Sequence, residues 1–381
     1  MNLLGIIAEY NPFHNGHKYH IERSKDFFKP DATVAVLSGN FTQRGDIACF
    51  DKWTRTKCAL LNGVDLVVEL PAIFATASAE RFAQGGIYLL DKMKAKYLSF
   101  GVENNIDELS KIVDMLLNED FEIQKKSEIP FYKLRQLSLN NSEIVTKPNN
   151  ILAIEYLKAL KTLKSDIIPH AVKRFGAGYN DIEIINNTVS ATKLRDMIQN
   201  DYDYSNVIPE NLDSVYKSAV FLHTEMLFAQ LIYSIKSKSA SELKEYAHIR
   251  EGIENRIYKY AFEATSFDDL IKKVKSKRYT YTSVSRMLIS ILLDIKKDDL
   301  CVHPQYIRVL GLNDKGTKAL KFIKSQCDLP IITKTATVYD KLSNEARNSL
   351  DIDIKSSDIY YSISKTVTSG RPDFINSPIK I

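Results

Sequence analysis

Short apolar runs alternate with longer segments of helical periodicity from Leu3 to Arg195, and no other property of the chain restricts its fold as strongly. The run that starts at Leu3 is followed by residues 32–38, 65–71, 97–100 and 166–174. Residues 51–62, residues 78–93 and the segment after His17 carry helical spacing between them, and residues 105–164 carry it again. The apolar runs show little polar alternation, so they read as strands buried on both faces, and strands joined by helices lie parallel beneath those helices. The expected class is α/β: a Rossmann-like domain whose parallel sheet places its ligand site at the carboxyl ends of the strands.

That pattern stops after residue 200. Residues 201–209 are polar, acidic and closed by Pro209, and read as a linker. Helical spacing then dominates at 214–235, 241–263, 267–274, 283–295 and 316–325. A chain of 381 residues is long enough for two cores. The division is placed between residues 203 and 204, an α/β domain over 1–203 and a mostly helical domain over 204–381, with no repeat or low-complexity tract in either.

Composition removes several classes of protein. With 44% hydrophobic and 26% charged residues and no apolar run of spanning length, a membrane protein is not expected. No basic, signal-like segment opens the chain, which argues for a cytoplasmic location. Cys49, Cys58, Cys301 and Cys327 form no CxxC pair and no ligand spacing, so reduced thiols are expected, with no zinc and no disulfide. The net charge of +5 is modest, so only its distribution can argue for nucleic acid.

Chemistry concentrates where the first strand hands over to a helix, through Ile7-Ala8-Glu9-Tyr10-Asn11-Pro12-Phe13 into His14-Asn15-Gly16-His17. The first N–H groups of a helix lack internal partners and sit at the positive end of its dipole, which suits a phosphate. Two imidazoles three residues apart face one side, and Gly16 lets a nucleotide approach the backbone. Two histidines that merely cap the helix are the alternative. A second helix start lies in Thr188-Val189-Ser190-Ala191-Thr192-Lys193-Leu194-Arg195, where Ser190 or Thr192 as a simple N-cap, with Arg195 in solvent, is again the alternative.

Other candidates sit at strand ends. The loop Ser38-Gly39-Asn40-Phe41-Thr42-Gln43-Arg44-Gly45-Asp46 gathers Asn40, Gln43 and Arg44 as a ligand loop would. Gly101 ends the fourth strand, as a nucleotide contact or a plain turn. Asn149 or Asn150 is a natural N-cap after Lys147-Pro148. Arg174 beside Phe175 and a glycine-rich turn can hold two oxygens with its planar fork. In the second half, residues 271–286 carry six basic residues and no acidic one, interleaved with Tyr279 and Tyr281, either a solvated helix face or an RNA surface.

The His14-Asn15-Gly16-His17 motif after an N-terminal strand resembles the HxGH signature of the nucleotidyltransferase superfamily, and Val189-Ser190-Ala191-Thr192-Lys193-Leu194-Arg195 resembles its second signature. The wider run from Glu9 to His17 resembles the tRNA(Met) cytidine acetate ligase family, a likeness that extends over the whole chain. It implies ATP as co-substrate, acetate as the acyl source and N4-acetylcytidine at the wobble position of elongator tRNA(Met) as product, with no obligate protein partner. It also implies that His14, His17, Ser190, Thr192 and Arg195 stabilise the triphosphate during reaction. Residues Ile7, Ala8, Glu9, Tyr10, Asn11, Pro12, Phe13, Asn15, Gly16, His20, Gly101, Asn150, Arg174 and Phe175 would join His14 and His17 around ATP, the register at Asn149 and Asn150 being open by one. Joined to such a catalytic domain, the basic stretch assigns Lys275, Lys277 and Arg278 to the tRNA. Mg²⁺ is expected with ATP, and Glu9, Asp46 and Asp51 are only candidate ligands. The rival readings are an adenylyltransferase acting on a small cofactor precursor and a non-catalytic RNA-binding protein.

Overall fold

The computed structural model of the chain describes residues 1–118, 144, 147–173, 187–250 and 252–381. Eight strands form one sheet: β1 (Leu3–Ala8), β2 (Ala32–Ser38), β3 (Leu66–Leu70), β4 (Tyr97–Val102), β5 (Ile168–Lys173), β6 (Ile307–Leu312), β7 (Ile331–Ile332) and β8 (Ile379–Lys380). Their order is β5-β4-β1-β2-β3-β6-β7, with β8 beside β6. β1 to β5 pair in parallel throughout, as strand–helix alternation requires. The chain leaves β1 for β2 on one side and later returns to β4 on the other, so the crevice beyond Ala8 is the topological switch point of the sheet.

Alternate residues feed opposite faces, as the two-residue period of a strand dictates. Val34, Val36, Leu66 and Val68 enter one core with Phe82, Ile87 and Leu90, whereas Ala35, Leu37 and Val67 enter a second with Cys58, Ala59 and Leu60. The covering helices of the first half are α1 (Asn15–Phe28), α2 (Lys52–Leu61), α3 (Ala79–Lys92), α4 (Ile106–Asn118), α5 (Pro148–Leu163) and α6 (Ala191–Gln199). Each of α2, α3 and α6 starts on a side-chain cap, Asp51, Ser78 and Ser190 respectively.

Strands do not end with the first half. β6 runs antiparallel to β3, from Leu66↔Leu312 to Glu69↔Arg308, so the sheet crosses the expected division at residue 203. The second half is nonetheless built largely from helices, among them α7 (Phe228–Lys236), α8 (Ile253–Ala261), α9 (Phe267–Val274), α10 (Tyr281–Leu293), α11 (Asp314–Gln326) and α12 (Asn344–Ser364). The helix expected over 241–263 is interrupted, because Gly252 adopts a left-handed φ of 87° before α8. The expected linker is packed: Val207 and Ile208 are buried in the same core as Phe13.

A buried ionic network fastens the second half to the first. Lys52 Nζ lies 2.8 Å from Glu69 Oε1 and 2.6 Å from Asp373 Oδ1, and Arg308 on β6 approaches both acids, Glu69 at 3.3 Å. Asp353 on α12 accepts from the Ala72 N–H at 2.7 Å and from the Tyr306 hydroxyl at 2.5 Å. Burial, reinforced by the negative charge of Glu69, pushes the Asp353 carboxyl up to about 7. A carboxyl raised above its unfolded value contributes most below that value and loses its contribution as pH climbs toward the folded one. Stability should therefore fall as pH rises from about 4 to 7, and Asp353→Asn, which cannot ionise, should flatten that slope in denaturant titrations.

Candidate active site

The β1–α1 junction is held by two imidazoles that cap the helix reciprocally. His14 is the N-cap; its Nδ1 accepts from the Gly16 N–H at 3.0 Å, while its own N–H donates to His17 Nδ1 at 3.2 Å. A neutral imidazole that accepts at Nδ1 carries its proton on Nε2, so both rings are donors at the nitrogen pointing away from the helix cap. The rings stack with centroids 3.7 Å apart, and the His17 ring is further fixed by the edge of Tyr10 at 5.0 Å and by Phe13 at 5.5 Å. Capping leaves room for a second role here, because these backbone contacts run through Nδ1 of each ring.

The second helix start faces the first. Ser190 caps α6 by accepting from the Lys193 N–H at 3.2 Å. Arg195 is not a solvent side chain: it donates to the Asn11 carbonyl at 2.6 Å and to the Thr192 hydroxyl at 3.2 Å. Asn15 returns the connection, donating to the carbonyls of Asn187 at 3.0 Å and Asn206 at 2.9 Å. Val189 and Leu194 share a core with Tyr10 and Phe13, and the Tyr216 hydroxyl donates to the Phe13 carbonyl. Two positive helix ends consequently converge beyond Ala8, where the sheet's switch point lies.

Charged groups around that crevice are desolvated. Glu9 accepts from the Gln43 N–H at 2.7 Å; burial raises its carboxyl, against the pull of Arg44, Arg195 and Arg55. Asp46 is likewise raised by burial and opposed by Arg195 and Arg44. Among the described residues no group of three His, Cys, Asp or Glu side chains could cage a metal ion. Arg55, which the sequence reading passed over, donates to the carbonyls of Phe50 at 2.9 Å, Glu9 at 2.7 Å, Ser38 at 3.0 Å and Gly39. The signal was present in α2: Lys52, Arg55 and Thr56 share the buried face of the helix, where cations require a reason.

The other candidates divide. His20 Nε2 meets Ser99 Oγ at 2.9 Å, Ser24 Oγ meets Ser99 Oγ at 2.7 Å, and Ser24 donates to the His20 carbonyl. With the Ser24 proton so committed, Ser99 must donate to Ser24 and His20 Nε2 must donate to Ser99. Gly101 lies inside β4, opposite Val172, not in a turn after it. The N-cap of α5 is Lys147, followed by Pro148, so neither Asn149 nor Asn150 fills that position. Asn150 instead accepts from the Glu103 N–H at 3.1 Å and donates to Asn104 at 2.9 Å, tying α5 to the end of β4. Asn40 is fully buried between the Lys52 N–H and Ser357, so it serves the fold and not the mouth of the crevice. Arg174 and Phe175 lie outside the described residues.

The basic stretch meets a crevice loop at its far end, where Arg286 reaches the Gln43 carbonyl at 3.4 Å. Lys275, Lys277 and Arg278 are exposed in the connection from α9 to α10. Lys272 and Lys273 are already paired with Asp268 and Asp269 within α9. Tyr279 is buried, whereas Tyr281 is exposed and its hydroxyl donates to Asp268.

A Rossmann-like switch point flanked by two helix starts and an HxGH motif defines a nucleotidyl transferase, and the family model described as HIGH Nucleotidyl Transferase matches residues 1–372. A tRNA(Met) cytidine acetate ligase of Thermoanaerobacter sp. (strain X514) is 41% identical over the full length of both chains, and one of Clostridium perfringens (strain SM101 / Type A) is 40% identical over 100% of this chain and 99% of its own. The crystal structure of Thermotoga maritima TmcAL in its apo form superposes with a TM-score of 0.93 at 30% identity over all of both chains. The same protein bound to alpha-thio ATP gives 0.90 at 30% identity, over 100% of this chain and 99% of that one. The chain belongs to the tRNA(Met) cytidine acetate ligase family.

Gly16 offers a direct test of the histidine pair. A Cβ there would stand 2.9 Å from His14 Cε1 and 3.0 Å from its Nδ1, so Gly16→Ala must displace the His14 ring. Alanine is otherwise the better helix residue by roughly 0.5–1 kcal/mol. Thermal stability should hold while calorimetric ATP affinity drops; unchanged affinity would mean that the ring position is irrelevant to the nucleotide.

Proposed function

We propose that the chain activates acetate with ATP and transfers the acetyl group to the wobble cytidine of elongator tRNA(Met), forming N4-acetylcytidine. The observation that carries this reading is the convergence of the two helix starts, joined by the Arg195–Asn11 hydrogen bond at 2.6 Å, on the carboxyl end of β1. Acetate attacks the α-phosphorus of ATP and pyrophosphate departs, giving acetyl-adenylate. The cytidine amine then attacks the acetyl carbon, AMP leaves, and the amine gives up a proton. His14 and His17 donate from Nε2, and the helix-start amides with Ser190, Thr192 and Arg195 hold the charge that accumulates on the departing phosphates. No protein atom is acylated in this scheme.

Residues 1–203 would hold ATP and acetate, with Ile7 to His17, His20, Gly101, Asn150, Arg174 and Phe175 about the nucleotide. Residues 204–381 would receive the tRNA, with Lys275, Lys277 and Arg278 on its backbone. Mg²⁺ would arrive on the triphosphate, since the described residues offer no cage of their own. We place the enzyme in the cytoplasm with its tRNA; among the described residues no helix is long and apolar enough to cross a membrane.

His17→Ala should lower acetate-dependent ATP–pyrophosphate exchange by about 10²–10³-fold, the usual consequence of losing one preorganised donor, and leave tRNA affinity nearly intact. Exchange at the wild-type rate would remove His17 from the chemistry. Neutralising Lys275, Lys277 and Arg278 together should do the reverse: exchange survives, acetyl transfer collapses at physiological salt, and the slope of log affinity against log salt shrinks by about 0.7–0.9 per lost contact. A triple variant with wild-type affinity and slope would send the RNA surface elsewhere.

A further inference from the structure

A solvated helix face is ordinarily polar, and that of α8 is partly aromatic. Phe262, which closes the helix, is 57% exposed, and Tyr258 one turn earlier meets its ring edge to face at 5.3 Å. Tyr233 on α7 is 76% exposed, and Lys236, three residues on along the same side of α7, places its ammonium 4.8 Å from the Phe262 ring. Tyr260 is flanked by Arg256 and Lys259, each with its charge 5.3 Å from the ring. Arg256 also donates to the carbonyls of Lys273 at 2.8 Å and Val274 at 3.2 Å, where α9 ends. That contact joins this face of α8 to the point where Lys275 begins the exposed basic connection.

We infer that this face of α8, with Lys236 beside it, is a stacking surface for unpaired bases of the RNA substrate, continuous through Arg256 with the cations at Lys275, Lys277 and Arg278. This rests on the reading that the chain acetylates the wobble cytidine, a base of the anticodon loop, where neighbouring bases are unpaired and can turn outward onto aromatic side chains. Single exposed aromatics mean little, but rings on two helices brought together by one lysine form a patch, and such a patch marks an interaction surface. Its charge selects the partner. Among the described residues Lys236, Arg256 and Lys259 enter no ion pair, nor does Glu263 beside Phe262. Three cations without carboxylate partners, against one acid, repel a second copy of the same face and complement phosphates. A lysine resting on an exposed ring is weakly held, so its ammonium can move to a phosphate while a base takes the ring. The Phe262 ring is steadied by Tyr258 and the Arg256 guanidinium by the end of α9, so neither has to be ordered by the ligand.

The test uses the full chain with elongator tRNA(Met) and, as a control, a fully paired RNA duplex. Phe262→Ala should weaken tRNA binding about 5- to 100-fold, the usual loss for one stacked base, and leave the salt slope and duplex binding unchanged. Phe262→Leu, apolar but without a π-face, should lose as much, and Phe262→Trp should keep the wild-type affinity. Lys236→Ala and Lys259→Ala should instead each reduce the slope of log affinity against log salt by about 0.7. All three side chains are exposed, so acetate-dependent pyrophosphate exchange should stay at the wild-type rate and report that the variants fold. Wild-type tRNA affinity in Phe262→Ala would overturn the surface, and an equal loss with the duplex would overturn stacking. So would a Phe262→Ala chain that binds tRNA normally but loses a dimer present in the wild type, since the face would then belong to a second copy. If the wild-type enzyme itself forms no N4-acetylcytidine, the proposed function fails first; if it does and the variants bind normally, only the stacking surface fails.

Discussion

Parallel strands end in carbonyls that the ladder can no longer satisfy, and in this protein one side chain takes up those at the ends of β1 and β2. Arg55, fully buried, donates to Glu9, Ser38, Gly39 and Phe50 carbonyls. Without it, four polar groups would face the interior of a core made by Phe50, Trp53 and Cys58. The guanidinium ties the ends of β1 and β2 together beside the crevice beyond Ala8. It also supplies positive charge beneath Glu9, whose carboxylate in turn orders the Gln43 loop. Burial lowers Arg55's own proton affinity while the acids around it resist the change.

Upon that base the histidines cap α1, and on the proposed reading they also meet the nucleotide. A serine or aspartate cap would satisfy the first amides of α1 equally well but would leave nothing directed at a ligand. An imidazole separates the roles by 1,3-placement of its nitrogens, so the cap itself fixes the tautomer needed at Nε2. Arg195 follows the same logic. Its contacts with Asn11 and Thr192 hold the guanidinium in place, so in the proposed reaction little reorganisation would be left for it.

What could be read from the sequence depended on whether a residue's neighbours lay close in the chain. β2 was recovered to the residue and β3 to within one at each end, because a buried parallel strand is a continuous apolar run whatever surrounds it. The HxGH motif and the Ser190–Arg195 motif were legible for a similar reason: a helix start is a local object. β6 was not legible. Arg308 is its second residue, and it pairs with Glu69 on β3 and Asp373 near the C-terminal end, both far away in the chain. Helix α12 escaped for the same cause, since its buried face carries Asp353 and Ser357, polar residues whose partners lie on distant segments. Asn150 shows the limit in miniature. Its residue type suited a cap, but Pro148 takes the first helical position and moves the cap to Lys147, leaving the asparagine to bind Glu103 and Asn104.

The shared sheet changes how the two halves can work together. Were they separate bodies on a linker, acetyl-adenylate made in one would have to wait for the other to close. Here β6 is hydrogen-bonded to β3, the Lys52–Glu69–Arg308–Asp373 network crosses the same seam, and α10 seats the Gln43–Gly45 loop directly. On the crevice side of that seam arginines face Glu9 and Asp46, so both signs of charge meet where the Gln43–Gly45 loop is seated on α10, and the loop is held from both halves of the chain at once.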